Sequence, residues 1–222
     1  MKKNLTEIVY ILDRSGSMSG LEADTIGGFN SMMEKQKKTG EKALVSTVLF
    51  DDECEVLHDR VPIEKVEKLT DSQYYVRGCT ALLDAVGGAI NHIKRCHKNM
   101  DESERPDKTI FVITTDGMEN ASTEYSYDKL QKLVKKQQEK HDWEFIFIGA
   151  NIDAYAEAAR FGIRKERAVN YVNDSVGVGK VYASVSQAVC SVMNAKGKSA
   201  AKSLDESEWS RELEEDYRKR GN

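Results

Sequence analysis

Apolar runs and amphipathic stretches alternate along most of this 222-residue chain. Runs rich in Val, Ile and Phe predict six strands, at residues 8–12, 43–50, 53–58, 109–114, 143–148 and 168–172. Apolar residues at helical spacing predict helices between most of these strands. The first predicted helix contains Ile26, Phe29 and Met33 and stops at Gly40. Two further helices are predicted at residues 80–98 and 127–140, and a short helix ends near Gly162. The last predicted helix contains Val181, Val185, Val189 and Val192.

Strands that alternate with helices are typical of a mostly parallel sheet covered on both faces. The second and third strands are separated only by Asp51 and Asp52, which predicts a hairpin and therefore one antiparallel edge strand. We therefore predict a three-layer, doubly wound, Rossmann-like α/β fold with a sheet of about six strands. The length of the chain favours one domain, which we place at residues 1–195.

Residues 196–222 form a charged segment with seven basic and seven acidic side chains. Glu214 with Arg218 and Glu215 with Lys219 have i,i+4 spacing, which favours a marginal, solvated helix if the segment is not disordered. A structural tail is favoured over an arm that binds a partner.

The charge of the chain argues against nucleic-acid binding, because the net charge is −4 and the basic residues are not clustered. The first apolar run, at residues 8–12, is too short for a signal peptide or a membrane helix. The four cysteines are far apart and include no CxxC pair, which favours reduced thiols and a cytoplasmic location. His92, Cys96 and His97 resemble half of a zinc site, but no second ligand pair accompanies them, so ordinary helix positions are favoured.

Oxygen-bearing side chains stand at three places where an open parallel sheet gathers its binding groups. Asp13, Ser15 and Ser17 follow the first strand, Asp116 follows the fourth, and Thr80 opens a helix. Asp-x-Ser-x-Ser alone is explained as a helix cap with a turn. Two carboxylates and three hydroxyls together are instead hard ligands, which suit Mg²⁺ or Mn²⁺.

The three segments resemble the motifs of the von Willebrand factor type A (vWA) domain family, in its bacterial, intracellular form. Residues 13–18 read Asp-Arg-Ser-Gly-Ser-Met and are similar to its DxSGSM motif. Residues 78–82 and 114–117 are similar to its GxTxL loop and its T-D-G segment. The resemblance implies a metal-ion-dependent adhesion site (MIDAS), in which Ser15, Ser17 and, in one state, Thr80 bind the ion directly. The resemblance further implies that Asp13 and Asp116 act through bound water.

Such a site favours an acidic partner, because an ion held mainly by neutral hydroxyls retains positive charge for an external carboxylate. We therefore predict a non-enzymatic module that binds an Asp or Glu of a protein partner. One alternative is a metal-dependent hydrolase. A second alternative, which the resemblance to the family implies, is a scaffold subunit that works with an AAA+ ATPase or a stress-response complex. No general base is placed beside Ser15 or Ser17 by the sequence, which argues against the hydrolase.

Several polar residues near these motifs have two open interpretations. Asp84 either bonds the loops of the site or serves as an exposed or capping residue, and Glu119 and Asn120 either rim the metal or belong to a solvated loop. Helix capping explains Asn151 and Asp153. The pair Gly177 and Gly179 lacks the flanking strand and third glycine of a dinucleotide loop.

Overall fold

A computed structural model describes residues 4–197 and 199–221, and in it six strands form one sheet. The strands are β1 (Thr6–Asp13), β2 (Ala43–Phe50), β3 (Cys54–Pro62), β4 (Lys108–Thr115), β5 (Glu144–Gly149) and β6 (Ala168–Asn170). Their spatial order is β3-β2-β1-β4-β5-β6. All neighbouring pairs are parallel except β2 with β3, so the predicted mostly parallel sheet with one antiparallel edge strand is confirmed.

In the described part of the chain, seven α-helices cover the two faces of this sheet. They are α1 (Glu22–Lys37), α2 (Leu82–Asn99), α3 (Tyr127–His141), α4 (Ala154–Phe161), α5 (Ser175–Asn194), α6 (Ala200–Ser207) and α7 (Arg211–Arg220). Short 3₁₀ helices lie at Gly16–Met18, Ile63–Lys65, Glu102–Glu104 and Lys165–Arg167. Side-chain oxygens of Ser126, Asp153, Asp174 and Ser199 accept backbone N–H bonds and so begin four of the α-helices.

The central strand β1 is buried on both faces, and successive side chains point to opposite layers. Ile8 and Tyr10 pack in a core with residues of α1, α5 and α6. Val9 and Ile11 pack in a second core with residues of α2, α3 and α4. Because every strand position faces a helix layer, the strand reads as a continuous apolar run rather than an alternating one.

Some boundaries differ from the sequence prediction. Helix α1 ends at Lys37, and Gly40 lies in the following turn with φ of 70°. Met32 is buried in this helix, whereas Ile26 is only partly buried. Strand β3 continues to Pro62 because it keeps pairing with β2 past a bulge, an irregularity that spacing of apolar residues does not reveal.

The segment after residue 195 contains α6 and α7, and it packs on the sheet layers. Leu204, Trp209 and Leu213 are at most 3% exposed and belong to the same core as α1 and α5. The expected i,i+4 pairs of α7 are replaced by Arg211 with Glu215 and Arg220 with Asp216. Lys198 and Asn222 lie outside the described residues. The domain boundary at residue 195 stays a prediction.

Candidate metal centre

The candidate site lies where the strand order changes direction. Strand β1 pairs on one side with β2, which follows it in the chain, and on the other side with β4. Asp13 is the last residue of β1, and Asp116 directly follows β4. Thr80 lies just before Leu82, the first residue of α2. The carboxyl ends of β1 and β4 therefore bring these three segments to one crevice.

The loop after β1 folds back on itself so that its two serines face one another. The backbone N–H of Ser15 donates to Oδ1 of Asp13 across 2.7 Å. The N–H of Met18 donates to the carbonyl of Ser15, which starts the 3₁₀ turn Gly16–Met18. This turn brings Oγ of Ser15 and Oγ of Ser17 to 3.2 Å from each other.

The loop after β4 joins its carboxylate to the same hydroxyls. Oγ of Ser17 donates to Oδ1 of Asp116 across 2.5 Å. Gly117 lets the backbone pass close by, since an ideal Cβ there would lie 3.3 Å from Oγ of Ser17 and 3.5 Å from Oγ1 of Thr80. The structure therefore brings all five residues singled out from the sequence to one place, with the hydroxyls of Ser17 and Thr80 both close to Gly117.

Burial gives the two carboxylates an unusual electrostatic setting. Asp13 is 2% exposed and Asp116 is 1% exposed. Desolvation raises the pKa of Asp13 to about 6 against the lowering effect of hydrogen bonds from Ser15 and Thr115, and it raises the pKa of Asp116 as well. Among the described residues, no Lys or Arg forms an ion pair with either carboxylate. A cation would supply the missing positive charge, and the donors are the hard oxygens that suit Mg²⁺ or Mn²⁺.

The site combines buried side chains with exposed ones. Ser15 and Thr80 are 1% and 4% exposed, whereas Ser17 is exposed and Met118, two residues after Asp116, is 72% exposed. An approaching group can therefore reach the site past Ser17 and Met118. The buried side is closed by the ends of β1 and β4.

Three supporting residues were not singled out from the sequence. Oγ1 of Thr115 donates to Oδ2 of Asp13 across 2.6 Å, and the hydroxyl of Tyr74 donates to the backbone carbonyl of Asp13 across 2.5 Å. Asn173, in the loop after β6, donates to Oδ2 of Asp116 across 2.9 Å. Position at the carboxyl end of a strand signals Thr115 and Asn173, but no spacing rule signals Tyr74.

The residues with two open interpretations now have definite contacts. Asp153 caps α4, whereas Asn151 donates to the backbone carbonyl of Asp116 across 3.3 Å. The carboxylate of Asp84 accepts the backbone N–H groups of residues 123–125, so it bonds a loop of the site. Glu119 and Asn120 lie in the loop after β4, with Asn120 exposed and Glu119 partly buried, and both accept backbone N–H groups of the segment that begins α2.

The segment with His92, Cys96 and His97 has other partners. Nε2 of His92 lies 2.7 Å from Oδ1 of Asp59 and 3.7 Å from Sγ of Cys96, and Nε2 of His97 lies 3.0 Å from Oε2 of Glu7. Within residues 4–197 and 199–221, no three His, Cys, Asp or Glu side chains gather into a metal-binding group. In the same part of the chain, no helix is long and apolar enough to cross a bilayer.

Solved structures with this arrangement of strands and helices come from several organisms. Proximal thread matrix protein 1 from the mussel byssus, in a structure with a zinc-occupied MIDAS motif, has a TM-score of 0.56 at 16% identity, covering 83% of this chain and 46% of that one. The PilB minor pilin from Streptococcus sanguinis has a TM-score of 0.57 at 11% identity, with 83% and 61% covered. A von Willebrand factor type A structure from Catenulispora acidiphila has a TM-score of 0.54 at 12% identity, with 86% and 43% covered.

These likenesses identify the fold of the chain as that of a vWA domain. The chain spans about half the length of the solved structures that it matches. No family model matches it, and no curated protein sequence matches it.

Proposed function

We propose that the chain is a binding module that holds one divalent metal ion through the hydroxyls of Ser15, Ser17 and Thr80. Asp13 and Asp116 hold bound water and orient the hydroxyls. The observation that carries this proposal is the contact of Ser17 with two other residues of the site. Oγ of Ser17 lies 3.2 Å from Oγ of Ser15 and 2.5 Å from Oδ1 of Asp116. Oxygen ligands from three loops, all buried except Ser17, together with two carboxylates that have no cationic partner among the described residues, form the donor set of a hard cation.

Mg²⁺ or Mn²⁺ is the ion that we propose. Hydroxyl and carboxylate oxygens suit these ions, whereas zinc is usually bound by nitrogen and sulfur. The mussel protein with a zinc-occupied MIDAS motif supports a metal at this position of the fold and leaves the choice of ion open here. Calorimetric titration with Mg²⁺, Mn²⁺ and Zn²⁺ tests this choice, and preferential Zn²⁺ binding would contradict it.

An acidic side chain of a protein partner is the proposed ligand of the bound ion. Ser and Thr hydroxyls carry no formal charge, so the ion retains positive character toward solvent, on the side of Ser17. An Asp or Glu carboxylate is the hard, anionic group that would complete its coordination. Affinity capture from the native cell with wild-type and Ser15→Ala/Ser17→Ala chains tests this step. A protein captured equally by both chains would not be a metal-dependent partner.

We propose that the module is not an enzyme. In the described residues, the hydroxyls of Ser15 and Ser17 contact each other, and the hydroxyl of Ser17 donates to Asp116. No hydrogen bond joins either hydroxyl to a His or Lys in this part of the chain. A serine nucleophile needs such a base. Phosphatase activity that requires metal and is abolished by Asp13→Asn would contradict this proposal and favour the hydrolase alternative.

The setting of the module in the cell is a further part of the proposal. All four cysteines are free, which supports a reducing, cytoplasmic environment. A scaffold role beside an AAA+ ATPase or in a stress-response complex stays an alternative, and the identity of captured partners decides it.

A further inference from the structure

The backbone of Thr80 is held by a residue of the loop that carries Asp116. Oδ1 of Asn120 accepts the N–H of Thr80 across 2.9 Å. In return, the N–H of Asn120 donates to the carbonyl of Thr80 across 3.0 Å, and the N–H of Ala121 donates to the same carbonyl across 3.2 Å. Both backbone polar groups of Thr80 are therefore bonded to residues 120 and 121.

A second support holds the chain on either side of Thr80. The carbonyl of Asp51 accepts the N–H of Ala81 across 2.7 Å. Oδ2 of Asp51, a fully buried residue, accepts Nε of Arg77 and Nε of Arg14, each across 2.7 Å. Asp51 thus joins the loop after β1 to the segment that leads into Thr80, but it does not touch Thr80 itself.

We propose that Asn120 is the positioning residue that sets the place of the Thr80 hydroxyl relative to Ser17 and Asp116. This inference rests on the proposed metal site. Asn120 lies four residues after Asp116, so its bonds fix Thr80 to the loop that carries that carboxylate. Thr80 itself belongs to the segment that precedes α2. The part of the loop between Asp116 and Asn120 therefore determines the distance between the Asp116 carboxylate and the Thr80 hydroxyl.

The loop itself does not depend on Asn120 for its order. Oε1 of Glu119 accepts the N–H groups of Ala121 and Ser122, and Oε2 accepts the N–H of Leu83 in the first turn of α2. Asp84 accepts three further N–H groups from residues 123–125. These two carboxylates, together with the Ser122 hydroxyl that accepts the N–H of Asp84 across 3.1 Å, fasten the loop to α2 without Asn120. The side-chain bond of Asn120 therefore acts on Thr80 and not on the loop as a whole.

Asn120 can be substituted without disrupting the fold, because its side chain is exposed. Asn120 is an exposed residue, whereas Thr80 is 4% exposed. Truncating Asn120 removes an acceptor from the Thr80 amide and little packing, so the folded chain should survive the change. Asp at the same position keeps a carboxyl oxygen that can accept this amide, which provides a conservative rescue.

The test compares the full chain with Asn120→Ala, Asn120→Asp and the control Ser122→Ala. Ser122→Ala removes a hydroxyl of the same loop that donates to Glu119 and accepts the N–H of Asp84, and it leaves the bonds of Thr80 intact. Mn²⁺ affinity is measured by calorimetry, and exchange of the Thr80 amide hydrogen is measured by NMR without metal. We expect Asn120→Ala to bind Mn²⁺ about tenfold more weakly and to exchange the Thr80 amide faster, because outer partners of metal ligands carry effects of this size. Asn120→Asp and Ser122→Ala should stay near wild type.

The outcomes separate this inference from the proposal on which it rests. Wild-type affinity and wild-type Thr80 exchange in Asn120→Ala would overturn the role of Asn120. Equal weakening by Ser122→Ala would also overturn it, since the effect would then belong to the loop in general. If the wild-type chain bound no Mn²⁺, the proposed function would fail, and Thr80 exchange alone would decide whether Asn120 positions this residue.

Discussion

Asn173 donates from Nδ2 to Oδ2 of Asp116 across 2.9 Å and so ties the loop after β6 to the carboxylate after β4. The other oxygen of Asp116 accepts the hydroxyl of Ser17. Both oxygens of this buried carboxylate are therefore oriented by neighbours, and orientation of metal ligands by such outer partners contributes to affinity.

Removal of this amide should weaken metal binding. In Asn173→Ala, Asp116 loses one of the two groups that orient it, so we expect Mn²⁺ affinity to fall by about tenfold. Calorimetry measures the change. Asn99→Ala is the control, because Asn99 is exposed at the last residue of α2, at the end of the helix away from Thr80. Equal affinities for both variants would show that Asn173 has no role at the site.

Two adjacent glycines in α1 should respond in opposite ways to alanine. An ideal Cβ on Gly28 would lie 2.3 Å from Cδ2 of Tyr182, a 6% exposed ring in α5, whereas a Cβ on Gly27 meets nothing within 4 Å. We expect Gly28→Ala to destabilise the chain by about 1–3 kcal/mol through overpacking. Gly27→Ala should stabilise it by up to about 1 kcal/mol through helix propensity. Urea unfolding of both variants measures the free energies, and similar values for the two would contradict the packing of α1 on α5.

Helix α7 should contribute to the stability of the whole domain. Leu213 is 1% exposed, so Leu213→Ala should lower the free energy of unfolding by about 2–5 kcal/mol. Glu212→Ala, at the neighbouring exposed position, is the matched control. This substitution should change the free energy of unfolding by less than about 0.5 kcal/mol. Denaturant unfolding followed by circular dichroism checks both values. A negligible effect of Leu213→Ala would show that this segment is an independent tail, as the boundary at residue 195 predicts.

The ion pairs of Asp216 should make the stability of the folded chain depend on pH in the acidic range. Hydrogen bonding from Arg220, with a further contribution from Lys180, lowers the pKa of Asp216 to about 2 from its usual value near 3.8. The folded state therefore binds fewer protons than the unfolded state between these values, and the stabilisation is complete above pH 4 and lost toward pH 2. Asp216→Asn should cost on the order of 1 kcal/mol at pH 7, discounted for partial solvation.

Thermal unfolding at a series of pH values tests this account of Asp216. The difference between wild type and Asp216→Asn should shrink as the pH falls from 4 toward 2. A difference that stayed constant over this range would show that the charge of Asp216 does not contribute, and that the substitution acts only through packing.

The fold was largely predictable because its strands are buried on both faces. β1 contains an uninterrupted apolar run from Ile8 to Leu12, and such runs between amphipathic helices have few architectures available to them. The five candidate ligands were predictable for a related reason, since each stands at the carboxyl end of a strand or just before a helix. Asp13 and Asp116 come together because β1 and β4 are neighbours.

The parts that escaped prediction depend on contacts between distant segments. Tyr74 reaches the carbonyl of Asp13 from a connection that has no periodic pattern, and the bond of Asn120 to Thr80 requires the exact path of two loops. The burial of Trp209 and Leu213 was missed because isolated apolar residues among charges do not produce a strong periodic signal. Propensity and spacing report local structure, whereas these contacts are tertiary.

Mn²⁺ affinity of the wild-type chain and of Ser15→Ala/Ser17→Ala, measured by electron paramagnetic resonance of free Mn²⁺, tests the central claim most directly. Ser19→Ala is the control, because Ser19 is an exposed serine just after the same 3₁₀ turn. The account predicts that one Mn²⁺ binds to wild type and to Ser19→Ala, and that the double variant loses this binding. Retention of wild-type affinity by the double variant, or the absence of Mn²⁺ binding in wild type, would contradict it.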